Sequence, residues 1–197
     1  MTLDLSDFRL INVLDTCGVW NILSSKSLFQ SAIQSKCHFS ITQFVEYECL
    51  RKPRKDPLQT DLELKARLEK QIAEGTIKVC SLSIADLQHV DVLERRKRLG
   101  RGELSTIVFA KQISQSLITD DQAARKLAGA ILGSGFVQTT PHLLGWMFYC
   151  GILTDGLYPD IVKEHEYFGR PLTRYFKQVY FSALEYRLKS NAKDHPQ

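Results

Sequence analysis

With 197 residues, 44% of them hydrophobic and 24% charged, the chain has room for one domain with a real core, which excludes disordered, fibrous and multidomain classes. Its net charge of +4, from 26 Lys+Arg against 22 Asp+Glu, is too mild to announce a nucleic-acid binder by itself. Cys17, Cys37, Cys49, Cys80 and Cys150 form no C-x-x-C pair and sit in apolar stretches, which argues against a zinc site or a disulfide framework and for buried free thiols.

Residues 1–7 are polar, without the basic and apolar regions of a secretory signal, and no apolar run is long enough to span a bilayer. The expected setting is therefore a reducing cytoplasm, with no membrane attachment. The first strong signal is the β-rich run 10–14, which ends at Asp15-Thr16 and leads into a helical pattern over 18–23. A second strand is predicted over 37–41. Thr42 is placed to cap a helix whose apolar positions are Phe44, Val45, Tyr47 and Leu50, broken by Pro53. Residues 56–74 are charged, with Leu58, Leu62, Leu64 and Leu68 at roughly helical spacing, which predicts an exposed amphipathic helix ended by Gly75.

A third strand follows over 77–82, then a helix over 83–98 with a basic end. Gly100-Arg101-Gly102 interrupts it before Glu103 opens a helix over 104–112. Residues 117–119 read as the fourth strand, closed by Asp120-Asp121, and 122–132 as an Ala-rich helix. A fifth short strand at 136–139 precedes a helix that has Pro141 in its first turn and runs to Tyr149. Strands alternating with helices imply a parallel sheet covered on both faces. The tail is rich in aromatics, and Phe176, Tyr180 and Leu184 fall at four-residue spacing, so a C-terminal amphipathic helix is expected, its stripe forming core or a dimer face. Residues 190–197 read as a loose end.

Open parallel sheets bind ligands beyond the carboxyl ends of their strands, so acids at that edge carry the functional signal. Asp15 and Asp120-Asp121 each follow a strand directly. Glu103 begins a helix that spans roughly 18 Å over about 12 residues. The strand after it returns roughly 17 Å over about five residues, so Glu103 and Asp121 come back to one edge. Glu48, in the second turn of the helix after strand two, starts from that edge as well. Four uncompensated carboxylates would raise one another's pKa values, a conflict that a divalent cation resolves. An oxygen-only donor set suits a hard ion, Mg²⁺ or Mn²⁺, and such a site suits hydrolysis of a phosphodiester. A phosphate backbone also needs cations, and two basic clusters offer them: Arg51, Lys52, Arg54 and Lys55, and Arg95, Arg96, Lys97, Arg98 and Arg101. Taken alone, both read as solvated helix ends. The position of the second cluster just before Glu103 makes Arg95, Arg98 and Arg101 the candidate substrate contacts.

The succession Val13-Leu14-Asp15-Thr16, Val45-x-x-Glu48-x-Leu50, Gly100-x-Gly102-Glu103-x-x-x-Ile107-x-x-Ala110 and Leu117-Ile118-Thr119-Asp120-Asp121-x-Ala123-Ala124-Arg125 resembles a PIN domain over about residues 10–153. It is most similar to the bacterial and archaeal subgroup with a Gly-x-Gly-Glu third motif and an Asp-Asp fourth motif. The resemblance implies a three-layer α/β/α sandwich around a parallel sheet of about five strands. It also implies metal-dependent endonuclease activity on single-stranded RNA, with DNA as the other possible substrate, often as the toxin of a toxin–antitoxin pair. An antitoxin protein and a homodimer are the partners expected from it.

Carried over by motif, Asp15, Glu48, Glu103 and Asp121 are the catalytic acids, and Asp15, Glu103 and Asp121 the metal ligands, with Asp120 a further one. Glu46, two residues before Glu48, is the alternative inward acid. The family spacing of eighteen residues after Glu103 favours Asp121 over Asp120, which reads instead as the cap of the following helix. Asp15 has a bland reading as a helix cap, and Glu103 as a favourable charge at a helix N-terminus. The nuclease unit is expected over 1–154 with a helical insertion around 51–75, and a helical extension over 155–197 packed on the same unit.

Two rival classes have less support in the sequence. A catalytically inactive PIN-like binding or scaffold protein has no need to keep a repelling acid cluster. A nucleotide-binding α/β protein lacks support, because neither G-x-x-x-x-G-K-[ST] nor a G-x-G-x-x-G after strand one is present. His38, His89, His142, His165 and His195 show no ligand spacing, so surface or core roles are expected for them.

Overall fold

The computed structural model describes residues 4–53, 55–96 and 99–194, and their side chains apart from 92–96 and 190–194. Strands β1 (Ile11–Leu14) and β4 (Ser116–Ile118) send alternate side chains to opposite faces, Leu14 and Ile118 into one apolar core and Val13 and Leu117 into another. Helices cover both faces. In chain order, α1 (Thr16–Ser24) and α2 (Lys26–Gln34) follow β1, and β2 (His38–Thr42) leads into α3 (Gln43–Glu46), which widens into a π-helical turn at Tyr47–Arg51. Next come α4 (Gln59–Ala73), β3 (Ile77–Cys80), α5 (Ile84–Arg96) and α6 (Arg101–Gln112). After β4 the chain forms α7 (Gln122–Leu132), β5 (Val137–Gln138), α8 (Thr140–Tyr149), α9 (Leu157–Tyr167) and α10 (Thr173–Asp194).

All four strand pairings are parallel, in the order β3-β2-β1-β4-β5. The chain moves outward from β1 to β2 and β3, then crosses back to lay β4 on the other side of β1. The direction of winding therefore reverses between β1 and β4, and open parallel sheets bind ligands in the crevice outside the carboxyl ends at such a switch point. Asp15 and the Thr119-Asp120-Asp121 turn follow β1 and β4 at that end.

Two helices lie beyond the sequence expectations. Ser25 caps α2 by accepting the Leu28 N–H at 3.2 Å, and Leu28, Phe29 and Ala32 are buried beneath an otherwise polar stretch. In the tail, α9 precedes the expected C-terminal helix, and α10 stays helical through Asp194 where a loose end was expected from residue 190. Residues 195–197 lie outside the described ones. Of the predicted stripe, Phe176 is buried in the larger core, Tyr180 packs against it and stacks on Tyr158 with ring centroids 4.2 Å apart, and Leu184 is half-buried. The same core takes Leu64 and Leu68 from α4, which returns the chain from β2 to β3. Among the cysteines, Cys37 and Cys49 are buried as expected, whereas Cys150 is exposed; all five are free thiols.

A second set of contacts ties α9 and the turn after it to α1 and α2. His165, fully buried, places Nδ1 2.7 Å from the Ser24 hydroxyl and lies against Phe176. Burial pushes its pKa down to about 3, so the imidazole is neutral at physiological pH. The Ser25 hydroxyl donates to Glu164 at 2.6 Å, and Arg67 donates to the Leu23 and Ser24 carbonyls at 2.8 and 3.1 Å. No described helix is long and apolar enough to cross a membrane.

Because Phe176 is fully buried in the main core, Phe176→Ala is expected to cost about 3–5 kcal/mol of unfolding free energy in urea denaturation. A loss below about 1 kcal/mol would show that the C-terminal helices are an appendage without a share in that core.

Candidate active site

The carboxyl edge of the sheet gathers the acids. Asp15 leaves β1 in extended conformation and caps α1, its Oδ1 accepting the Gly18 N–H at 2.6 Å. Gly18 is required here for space: a Cβ on it would lie 2.8 Å from the Ile118 carbonyl oxygen of β4. The other oxygen, Asp15 Oδ2, is buried and has no hydrogen-bond partner among the described residues. Capping therefore occupies only one of the two carboxylate oxygens. Burial, above all, pushes the Asp15 pKa up to about 7; the Thr119 side chain and the Gly18 N–H oppose this, and the charges of Asp120 and Glu103 add to it.

Glu48 sits in the π-helical turn, a distortion that often marks functional positions. Its Oε2 accepts the Thr16 hydroxyl at 2.7 Å and its Oε1 the Gly102 N–H at 3.1 Å. The helix before the turn is set by Thr42, which accepts the Val45 N–H as predicted and meets Ser105 of α6 at 2.7 Å. Gly102 explains the Gly-x-Gly-Glu motif in steric terms, since a Cβ there would lie 2.2 Å from Glu48 Oε2. Its missing side chain is what lets the carboxylate reach the N-terminal end of α6, where unpaired N–H groups and the helix dipole favour negative charge.

Glu103 occupies the same helix end. Its Oε2 accepts the Gly100 N–H at 2.5 Å, half of a capping box. Its pKa is raised, first by burial and then by the charges of Asp121 and Glu48, against the Gly100 N–H and the charge of Lys52. On the far side of β1, the cap expected of Asp120 falls to its neighbour. Asp121 is the cap of α7, accepting the Ala124 N–H at 2.7 Å through Oδ1. Asp120 turns the other way: Oδ2 accepts from Asn21 at 2.7 Å and from the Thr140 hydroxyl at 2.6 Å, while Oδ1 accepts the Thr140 N–H at 3.0 Å. Burial raises the Asp120 pKa, with the Thr140 and Asn21 hydrogen bonds opposing it.

Asn21 is held in turn from the C-terminal helices, because Arg170 Nε donates to its Oδ1 at 2.8 Å. Thr16, Asn21, Thr140 and Arg170 were not singled out from the sequence. Asn21 carried a readable signal: a polar residue inside the run Val19-Trp20-Asn21-Ile22-Leu23, which buries with α1, must find a partner. Of the predicted cations, Arg101 is exposed and pairs with Asp91 at 3.8 Å. The Arg95 side chain and all of Arg98 lie outside the described residues.

Among the described residues, no three His, Cys, Asp or Glu side chains converge tightly enough to enclose one ion. The donor set nevertheless fits a hard, water-rich cation such as Mg²⁺, which takes one or two carboxylates directly. The buried, unpartnered Asp15 Oδ2 and the mutual repulsion of Asp15, Glu103, Asp120 and Asp121 are what such a cation would relieve.

The sequence matches the PIN domain family over residues 22–132, more than half of the chain. This chain belongs to the PIN domain family. The match spans Glu48, Glu103, Asp120 and Asp121 and begins just after Asp15. PIN domains are in general nucleases, so the fold, the strand order and the acidic crevice belong to a nuclease-type domain whose substrate is nucleic acid. No curated protein and no solved structure matches the chain.

A carboxyl whose folded-state pKa is raised binds its proton more tightly when folded, so its contribution to stability is full below the unfolded pKa near 4 and is lost as pH rises through about 7. In a chelating buffer, Asp15→Asn is therefore expected to gain stability over the wild type by an amount that grows from pH 4 to pH 7 and then levels. Parallel stability–pH curves for the two proteins would contradict the burial of an ionisable Asp15.

Proposed function

We propose that this PIN domain is a divalent-metal-dependent endonuclease for single-stranded nucleic acid, with RNA as its principal substrate. The observation that carries this reading is the unpartnered, buried Asp15 Oδ2 facing like charges at the point where β1 and β4 part. Asp15 would hold Mg²⁺ or Mn²⁺ directly, with Glu103 and Asp121 reaching the ion through its water shell; each has one oxygen engaged by a backbone N–H and a second to offer. When bound, the ion supplies Lewis acidity toward a phosphate oxygen and an attacking water.

The chain's own residues do the remaining work. Glu48, fixed through both oxygens by Thr16 and Gly102, stands on the α6 side of the crevice and orients the water from there through the lone pairs that those two bonds leave. Asp120 commits both oxygens to Asn21 and Thr140, so we assign it to holding the crevice walls together and adding negative potential behind Asp15. Lys52 and Arg101 flank the acids and meet the phosphates on either side of the scissile bond. Hydrolysis then joins the water oxygen to phosphorus while the bond to the leaving oxygen breaks, and the leaving oxygen takes up a proton.

The reading extends to the toxin role, with a cognate antitoxin covering the crevice. It also extends to a homodimer formed through Tyr175, Phe181 and Leu188, which α10 leaves exposed. Light scattering on the purified protein reads the dimer directly, and a monomer mass at high concentration would remove it.

The decisive assay is cleavage of single-stranded RNA and DNA oligonucleotides in Mg²⁺, in Mn²⁺ and in EDTA. Cleavage should require the metal and fall by at least about a hundredfold in Asp15→Asn while the fold persists by circular dichroism. Cleavage that survives in EDTA or in the variant contradicts the assignment, and the absence of any cleavage favours a binding protein on the same fold.

A further inference from the structure

The π-helical turn does more than aim Glu48. By widening the helix at Tyr47–Arg51 it leaves Tyr47 at 55% exposure, unusual for an aromatic residue beside a carboxylate that is hydrogen-bonded on both oxygens. A cavity of about 610 Å³ opens next to it. Phe44, Tyr47, Leu82 and Leu87 give it apolar lining. Glu48 lines this cavity and also accepts the Gly102 N–H beside Glu103, so the cavity adjoins the acid cluster. The lining carries two cations as well: Lys52, close enough for its charge to act on Glu103, and Arg101, which is exposed and lies 3.8 Å from Asp91.

This combination has a chemical meaning. An apolar, aromatic-walled cavity of several hundred cubic ångströms takes a flat organic ring. Cations in its lining require that the ring carry phosphate. An acid cluster sharing its wall requires that one such phosphate lie at the hydrolytic centre. We propose that the Phe44–Tyr47–Leu82–Leu87 cavity is a base-binding subsite that takes one unpaired nucleobase beside the scissile phosphate, stacked on Tyr47, with the adjoining phosphates on Lys52 and Arg101.

The inference rests on the nuclease reading of the neighbouring acids and adds a substrate class to it. A base in a duplex is stacked and paired and cannot enter the cavity, so the subsite selects single strands, bulges and frayed ends. Stacking on apolar walls is tolerant of base identity, so any preference among bases would come from Gln43, the amide side chain of the lining.

The test separates the subsite from the chemistry. The Asp15→Asn protein is titrated in Mg²⁺ with fluorescein-labelled single-stranded RNA oligonucleotides carrying an abasic residue at each successive position, and wild-type protein is titrated in chelator alongside. One abasic position should weaken binding about tenfold, and Tyr47→Ala should weaken binding of the intact strand by a similar factor. In the doubly altered pair the two losses should merge into one, because each removes the same contact. Tyr47 is exposed, so its replacement leaves the fold unchanged by circular dichroism, and Tyr167→Ala, an exposed aromatic residue on α9, controls for non-specific loss.

Unchanged binding by Tyr47→Ala, or two losses that multiply independently, overturns the subsite while leaving the nuclease reading intact. Coupled losses in a protein that never cleaves would keep the subsite and overturn the chemistry. No binding of any strand by either protein overturns both.

Discussion

The burial of carboxylates side by side is the constraint around which this molecule is arranged. At the carboxyl edge of the sheet burial raises the cost of charge on Asp15, Glu103 and Asp120, and neighbouring carboxylates add to it at Asp15 and Glu103. The fold answers with donors. The first turns of α1, α6, α7 and α8 offer the N–H groups of Gly18, Gly102, Ala124 and Thr140 to Asp15, Glu48, Asp121 and Asp120 in turn. A parallel sheet makes this possible, because each strand's carboxyl end is followed by a helix whose positive end points back to the same edge. One carboxylate oxygen, Asp15 Oδ2, is left without such an answer, and that is where a cation fits.

The same constraint explains how the C-terminal helices relate to the nuclease unit. The family match ends at residue 132, yet Arg170 holds Asn21, and Asn21 holds Asp120. Buried His165 and the Ser25–Glu164 hydrogen bond fix α9 to the end of α1 and the start of α2. The extension therefore braces α1, the helix that carries one wall of the crevice. Removing it would leave Asn21 and the Asp120 carboxylate less ordered as well as exposing the core around Phe176.

Much of this was legible in the sequence. Strand runs ending in Asp15 and in Asp120-Asp121, a helix cap at Thr42, and the stretch from Gln122 to Leu132 gave the α/β alternation and the edge at which the acids meet, and the motif order pointed to the family that the comparison confirms. What stayed hidden depends on registers and partners that one chain segment does not encode. Asp121 rather than Asp120 is the cap because it immediately precedes Gln122, the first residue of α7, while Asp120 finds Asn21 and Thr140. Glu48 rather than Glu46 meets Thr16 and Gly102 because the helix widens into a π turn after Glu46. Helix α2 was missed because its buried Leu28, Phe29 and Ala32 are spaced among Ser, Gln and Lys. The partners of Asp120 come from 99 and 20 residues away in the chain, and no local pattern announces them.

The central claim is that Asp15, raised toward neutrality by burial among like charges, gives up its proton to hold a divalent cation. Calorimetric titration of Mn²⁺ into the protein at pH 7, in two buffers of different ionisation heat, tests it most directly. The account predicts saturable binding whose heat depends on the buffer, because loading the site releases a proton, and no such binding by Asp15→Asn. Binding with no proton release, binding that persists in the variant, or no binding at all would contradict it.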